Sequence, residues 1–311
     1  MTTPTMSAPA GRAPAPGPIP WFRLARVTLR QRRGLFAGLG VLLGLVAAYL
    51  TAMAIIQGNA YAAVAACHPA SLPQCHRLKQ AFIGRYWGGD SAALQSGGAQ
   101  TVSSLMFVLP VLLGAFAGGP LLSRELDSGT FRFAWTQGAG RTRWALATLL
   151  VPAIIITAAS GACTAVFYWY LRPFLALGQV SEMLPLVFAL LGVAFAAWTL
   201  LAYALAAFLG ALTRRTVPAM ASTLVLYVVL AMATAIAIRP HYATPVSVPS
   251  GSAGNGDGWV IRFFSRDGTA WTALQPNSRF WEFQLIEGGW LLALSAALIG
   301  ATIWLLRRRG A

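Results

Sequence analysis

Six long apolar stretches, none containing Asp, Glu, Lys or Arg, dominate this sequence. Each is long enough to cross a hydrocarbon core about 30 Å thick as a helix rising about 1.5 Å per residue. The chain is 57% apolar and 10% charged, too few charges to cover the surface of a soluble fold. The sequence therefore predicts an all-α integral membrane protein with six transmembrane helices. The predicted spans are Gly34–Ile56, Thr101–Leu122, Ala145–Leu171, Met183–Leu209, Val217–Ile238 and Gly289–Leu306.

The basic residues are distributed unevenly between the two sets of loops. Fifteen of the 23 Lys and Arg residues precede the first span or follow the second, fourth and sixth spans, and the other eight are spread over longer loops. By the positive-inside rule, this asymmetry predicts that both termini are cytoplasmic and that loops 57–100 and 239–288 are exterior. The net charge of +15 therefore indicates membrane topology rather than a nucleic-acid partner.

The N-terminal region divides into two parts. Residues 1–20 are rich in Pro, Ala and Gly, and this composition predicts a disordered cytoplasmic tail ahead of a single six-span domain at 21–311. Between Trp21 and Arg33 arginines recur at helical spacing beside an apolar stripe. This pattern favours an amphipathic helix in the cytoplasmic interface, with its cations near anionic headgroups. A plain basic flank of the first span is the alternative.

The two exterior loops carry different signals. In the loop 239–288 a Pro, Ser and Gly-rich run predicts a flexible linker, and the aromatic residues that follow it are expected at headgroup level. In the loop 57–100, Cys67 and Cys75 are each followed by a histidine. A disulfide is favoured because an exterior compartment permits one and the intervening prolines bend the chain. A zinc site using His68 and His76, or two free thiols, are the alternatives.

Several kinds of chemistry are disfavoured. All eight carboxylates fall outside the predicted spans, whereas an ion-coupled transporter requires ionisable groups within the membrane. The three histidines lie in predicted exterior loops without a neighbouring acid, so the sequence predicts no catalytic residues and no metal site. The chain also lacks the Gly-x-x-x-x-Gly-Lys-[Ser/Thr] phosphate-binding loop. Any ATP hydrolysis therefore belongs to another chain.

Two motifs carry a family resemblance. Residues 123–138 read SRELDSGTFRFAWTQG and are followed by Arg141, Arg143 and Trp144; residues 275–281 read QPNSRFW and are followed by Gln284, Ile286 and Glu287. With six spans and a terminal arginine triplet, these motifs strongly resemble the actinobacterial subgroup of ABC transporter permeases of the type-2, export-associated family.

The resemblance implies a plasma-membrane exporter subunit. The implied partners are a cytosolic ATP-binding cassette ATPase, which binds the ATP and Mg²⁺, and a second permease subunit that is identical or related. Short re-entrant helices before the last span are also implied. The segment after the second span would be the coupling helix on the ATPase. Its expected contact residues are Glu125, Gly129, Thr130, Arg132, Phe133, Trp135 and Gln137.

Two questions stay open at this point. Aromatic residues in this segment suit a partner's groove, but they also suit the membrane interface. The apolar and hydroxyl residues of the spans favour a hydrophobic or amphiphilic substrate such as a drug, a lipid or a peptide. A membrane anchor or assembly factor that transports nothing is the alternative function.

Overall fold

The computed structural model describes residues 20–69, 71–88, 98–128, 141–252, 254 and 256–309. The predicted tail, apart from Pro20, lies outside these residues. So does the predicted coupling segment from Gly129 to Gln137; Glu125 is described only as helical backbone.

The described chain is mostly helical, and six of its helices are long and apolar enough to cross a membrane, as predicted. The helices are α1 (Trp21–Gln31), α2 (Arg33–Ala65), α3 (Pro73–Ile83), α4 (Ala99–Ser128), α5 (Arg141–Ala176), α6 (Pro185–Leu190), α7 (Gly192–Thr213), α8 (Thr216–Ala233) and α9 (Phe280–Arg309). The candidate spans are α2, α4, α5, α7, α8 and α9. We call the end of the bundle where α2, α5 and α8 begin the arginine end, and the opposite end the sheet end.

The amphipathic segment ahead of the first span forms helix α1, as predicted. Its arginines at positions 23, 26 and 30 are exposed, while Thr28 on the opposite face is buried. Arg32 separates α1 from α2, and its guanidinium donates to the backbone carbonyl of Leu121 in α4 at 2.9 Å. The Arg143 guanidinium of α5 lies 5.8 Å from the Trp21 ring centroid. These contacts fix α1 against the arginine end of the bundle.

Helices α4 and α7 form the tightly packed centre of the fold. A Cβ added to Gly114 or Gly118 of α4 would overlap the Ala202–Ala206 stretch of α7, and one added to Gly210 would lie 2.9 Å from the Gly119 carbonyl oxygen. Small residues four apart allow two helix backbones to approach closely in a membrane. About two thirds of the most apolar window of each helix is buried, 67% in α4 and 61% in α7, against 11% in α2 and 17% in α8.

The fourth predicted span is interrupted. Met183–Leu209 was expected to form one helix, but α6 ends at Leu190 and α7 begins at Gly192. Leu191 between them is extended, and Gly192 has a φ of +60°, a conformation that glycine adopts without strain. The prediction of an uninterrupted span was wrong because hydropathy does not register a single glycine in the left-handed region.

Most of the described residues of loop 239–288 are folded: the Pro, Ser and Gly-rich run expected to be a flexible linker contains a strand, and a sheet is found where re-entrant helices were expected. Helix α8 continues into a π-helical turn (Thr234–Ile238) and a 3₁₀ turn (Arg239–His241). Strands β1 (Val246–Pro249), β2 (Gly258–Arg266) and β3 (Thr269–Pro276) then form an antiparallel sheet in the order β1-β3-β2. Asp267 and Gly268 have positive φ values and make the two-residue turn between β2 and β3. The fold is thus mostly, not entirely, helical.

The loop 57–100 is shorter than predicted because α2 continues to Ala65. Cys67 and Cys75 are joined by a disulfide with a Cα–Cα distance of 5.5 Å. Helix α3 follows, with Phe82 packed against the ring of Phe174 at the end of α5. Lys79 of α3 donates to the Leu177 carbonyl. These contacts attach the disulfide loop to the sheet end.

Candidate functional site

The most unusual feature of the sheet end is a fully buried ion pair between Arg239 and Glu287. The Arg239 Nε donates to Glu287 Oε2 at 2.8 Å, and Nη2 donates to Oε1 at 2.6 Å. The two side chains are 2% and 0% exposed. Arg239 lies in the 3₁₀ turn after α8, and Glu287 lies in the second turn of α9. The bidentate geometry is the strong form of an Arg–carboxylate contact.

Two further donors satisfy the Glu287 carboxylate. Trp198 Nε1 of α7 donates to Oε1 at 2.9 Å, and the Tyr242 hydroxyl contacts Oε2 at 3.4 Å. Trp290 Nε1 in turn donates to the Tyr242 hydroxyl at 2.9 Å. Burial, followed by the charge of Glu287, raises the pKa of Tyr242 to about 12. Tyr242 therefore stays neutral and serves as a donor.

Gln284, one turn before Glu287 in α9, bridges the break between α6 and α7. Its Oε1 accepts from the Ala194 backbone N–H at 2.8 Å, and its Nε2 donates to the Phe188 carbonyl at 3.0 Å. Thr164 of α5 donates to the Leu190 carbonyl at 2.5 Å. A helix break frees backbone groups that hydrocarbon cannot hydrogen-bond. Side chains of α9 and α5 supply the missing partners, which makes the break a stable part of the fold.

Arg239 also contacts α6. Its Nη1 donates to the Pro185 carbonyl at 3.1 Å, and its guanidinium lies 4.5 Å from the Phe188 ring centroid. We name Arg239, Glu287, Gln284, Trp198 and Tyr242 the polar cluster. It joins α6, α7 and α9 to the end of α8. A cavity of about 20 Å³ lies beside Arg239, with Trp198 and Tyr227 in its lining. That volume is enough for one water molecule.

The placement of Glu287 corrects the sequence argument about carboxylates. Glu287 was assigned to a loop before a span beginning at Gly289, but α9 begins at Phe280 and buries this side chain. The stated reason for disfavouring ion coupling was therefore wrong for this residue. The geometry offers a different observation: the Arg239 guanidinium donates to both carboxylate oxygens of Glu287.

The structure offers little for a metal. Within the described residues, no three His, Cys, Asp or Glu side chains come close enough together to hold an ion. The zinc alternative for Cys67 and Cys75 is not what the structure has, because the two sulfurs are bonded to each other.

The structure describes the helices on either side of the predicted coupling segment, but not the residues from Gly129 to Gln137. Helix α4 carries Glu125 in its last turn and ends at Ser128, and α5 begins at Arg141. Polar contacts of described residues hold the last turns of α4. They include the Arg32–Leu121 contact and a contact between the hydroxyl oxygens of Ser123 and Thr216 at 2.8 Å.

Sequence reasoning missed the polar cluster as a site. Gln284 and Glu287 belong to the second family motif, but no role was assigned to them. Their spacing of three residues, on one face of a helix, was an available signal. Arg239 offered less, since its partner is 48 residues away.

Comparison with known proteins gives one match. Neither the curated proteins nor the solved structures contain a significant match to this chain. Residues 39–239 match the model of the family described as ABC-2 membrane transporter related. This region covers well over half of the sequence and all or most of five of the six candidate spans. The chain is a multi-pass membrane protein that belongs to the ABC-2 membrane transporter related family.

Proposed function

We propose that this protein is the membrane-spanning permease subunit of an ATP-binding cassette exporter. The family match over residues 39–239, on a chain with six apolar helices, is the observation that carries the proposal. ATP and Mg²⁺ bind to a separate cytosolic ATPase, and two permease subunits, identical or related, form the complete pathway in the plasma membrane. Both termini and the arginine end face the cytoplasm. A cysteine at position 252 is then labelled by an impermeant reagent in intact cells, and one at 308 is protected.

The segment between α4 and α5 is the proposed ATPase contact. Glu125 lies just before this segment, in the last turn of α4 at the arginine end, and the segment itself contains Phe133 and Trp135. These residues provide a charge and large apolar side chains, which anchor interfaces efficiently. The actinobacterial subgroup and these individual roles remain predictions.

A hydrophobic or amphiphilic cargo fits the space between α4 and α2, the candidate span with the smallest buried share. Two apolar grooves of about 410 and 330 Å³ lie between α2 and α4, one bordered by Leu45 and Leu105 and the other by Leu42 and Phe116. Their apolar lining suits an alkyl or aromatic moiety.

Co-purification tests the proposal. The tagged chain is expected to recover an ATPase from membranes of its source cells. Phe133→Ala and Glu125→Ala should insert normally and recover several-fold less of it, because each removes an interface contact. Trp281→Ala, which changes an exposed aromatic residue at the sheet end, is the matched control and should recover the wild-type amount. A chain that recovers no ATPase is a membrane anchor or assembly factor instead.

A further inference from the structure

Helix α8 is held differently at its two ends, and its middle is loosely packed. Only 17% of its most apolar window is buried. Its buried side chains form a narrow stripe, Ala219, Thr223 and Tyr227, directed toward the core, while the opposite face is exposed. A helix with so little buried surface can move relative to the α4–α7 pair with a small loss of packing.

The sheet end of α8 is anchored. Regular α-helix ends at Ala233, and the next residues form a π-helical turn and then a 3₁₀ turn. Such changes of hydrogen-bond register mark hinges. Arg239, the first residue of the 3₁₀ turn, is fixed by Glu287 and by the Pro185 carbonyl. The π-helical turn therefore lies between a fixed point and the straight part of the helix.

The arginine end of α8 contacts the last turns of α4. The Ser123 hydroxyl donates to the Gly119 carbonyl at 2.7 Å, so its single proton is used within α4. The Thr216 hydroxyl, 2.8 Å away, is therefore the donor to Ser123. One turn further, Gly119 leaves room for Met220, whose Cγ would lie 2.8 Å from an added Cβ. Ser123 lies five residues before the end of α4, where the proposed ATPase contact begins.

We propose that α8 is a lever that pivots at residues 234–238 against the Arg239–Glu287 anchor and is driven at Thr216 by Ser123 of α4. This inference rests on the proposed function, which supplies the ATP-driven movement of α4. The straight part of α8, 18 residues, is about 27 Å long, so a rotation of about 10° displaces its driven end by about 5 Å. Ser123 and Thr216 are positioning residues, since they transmit movement and contact no substrate.

Spin-label distances in the chain reconstituted with its co-purified ATPase test the lever. Labels at Val217→Cys on α8 and at Ile236→Cys in the π-helical turn, both exposed positions, are each paired with Leu292→Cys on α9. The background carries Cys163→Ala and is diluted with unlabelled chain, so that distances arise within one subunit. Trapping with ATP and vanadate is expected to shift the 217–292 distance by several ångströms and to leave the 236–292 distance unchanged.

Two matched variants separate the lever from a merely structural contact. Thr216→Val keeps the side-chain shape and removes the donor, so it should reduce the nucleotide-dependent shift at 217 more than twofold with the ATPase still bound. Ser222→Ala removes a hydroxyl that donates to Pro218 and Ala219 of its own helix, so it should retain the full shift. A full shift in Thr216→Val, or an equal shift at 236, would overturn the lever.

A label on α2, at Leu45→Cys, distinguishes the failure of the lever from the failure of the proposed function. A nucleotide response at 45 with a static 217 rejects the lever alone. No recovered ATPase, or no response at 45, 217 and 236, rejects the proposed function and the lever with it.

Discussion

The two ends of α8 show how differently two interhelical contacts can be constructed in one membrane protein. At the sheet end, Arg239 and Glu287 form a bidentate ion pair that is buried from water and lipid. At the arginine end, Thr216 and Ser123 share one hydroxyl–hydroxyl bond. Separating the first pair would leave two uncompensated charges in a medium of low dielectric constant. In the second pair no charge is involved, and Ser123 keeps its bond to the Gly119 carbonyl of its own helix. The first contact suits a fixed point, and the second suits an adjustable one.

The same contrast extends to the helices around these contacts. The anchored end lies beside α6, α7 and α9, where the polar cluster satisfies the groups freed by the helix break. At the arginine end, Arg32 and Thr216 make polar contacts with the last turns of α4. The buried side chains of the polar cluster lie where the fold is interrupted, because interruptions in a membrane helix need polar partners.

Removing one member of the Arg239–Glu287 pair should cause the largest loss in the free energy of unfolding. Glu287→Ala leaves Arg239 buried without a counter-charge, and we expect a loss of about 3–5 kcal/mol in the free energy of unfolding. Denaturant titration in bicelles, together with the yield of inserted protein, measures it. The double variant Arg239→Met, Glu287→Met leaves no unpaired charge, so it should recover most of that loss in the free energy of unfolding. A single Glu287→Ala variant as stable as the wild type would show that the pair anchors nothing.

Removing the Gln284 side chain, which bridges the break between α6 and α7, should cause the next largest loss in the free energy of unfolding. Gln284→Ala leaves the Ala194 N–H and the Phe188 carbonyl unpaired, at a cost of about 1–3 kcal/mol each when no water replaces the amide. The measured quantity is again the free energy of unfolding, with hydrogen exchange at Ala194 as a local readout. Faster exchange there with unchanged exchange in α4 is the expected pattern. Uniformly faster exchange in both helices would contradict a local role.

Composition and spacing predicted the six spans because a stretch of twenty uncharged apolar residues has few alternatives to crossing a membrane. They could also have predicted two features that were missed. Gly114 and Gly118 are spaced four apart, which is typical of a close helix contact. Asp267-Gly268 between two aromatic-rich runs is a strong signal for a hairpin, yet the aromatic residues around it were assigned only to the headgroup level of the membrane.

The pairing of Glu287 with Arg239 and Trp198 lay beyond the reach of sequence reasoning for a physical reason. The last span was judged to begin at Gly289 because charged residues precede it. Charged residues end an apolar stretch, but they do not end a helix, and α9 begins nine residues earlier. Whether Glu287 is buried depends on Arg239 and Trp198, which lie 48 and 89 positions away. No local pattern records that pairing.

Within the anchored end, Tyr242 should contribute less than Gln284. Tyr242→Phe removes a long contact of 3.4 Å to Glu287 and the acceptor of Trp290 Nε1. We expect a loss of about 0.5–1.5 kcal/mol in the free energy of unfolding, since Arg239 and Trp198 still satisfy the carboxylate. Because the pKa of Tyr242 is raised to about 12, its contribution is present below pH 10 and disappears as the pH rises through 12. A wild-type minus Tyr242→Phe difference that is constant up to pH 12 would contradict this.

A double-mutant cycle on Ser123 and Thr216 should give a smaller energy than any of the preceding variants. It measures the coupling energy of the weaker of the two contacts at the ends of α8. Hydrogen bonds between side chains of membrane helices contribute about 0.6 kcal/mol on average, and Thr216→Val together with Ser123→Ala should reveal a coupling of about that size. The cycle isolates the pair because the bond from Ser123 to the Gly119 carbonyl is lost in every variant that lacks the Ser123 hydroxyl, and so it cancels.

The same cycle applied to Arg239 and Glu287 with methionine substitutions should give a coupling several times larger. If the two couplings are equal, the ends of α8 do not differ in strength, and a pivot at one end has no energetic basis. If the hydroxyl pair couples weakly while Thr216→Val still suppresses the nucleotide-dependent movement of residue 217, the contact acts through its position rather than its strength. That combination is what a lever with one fixed end and one driven end requires.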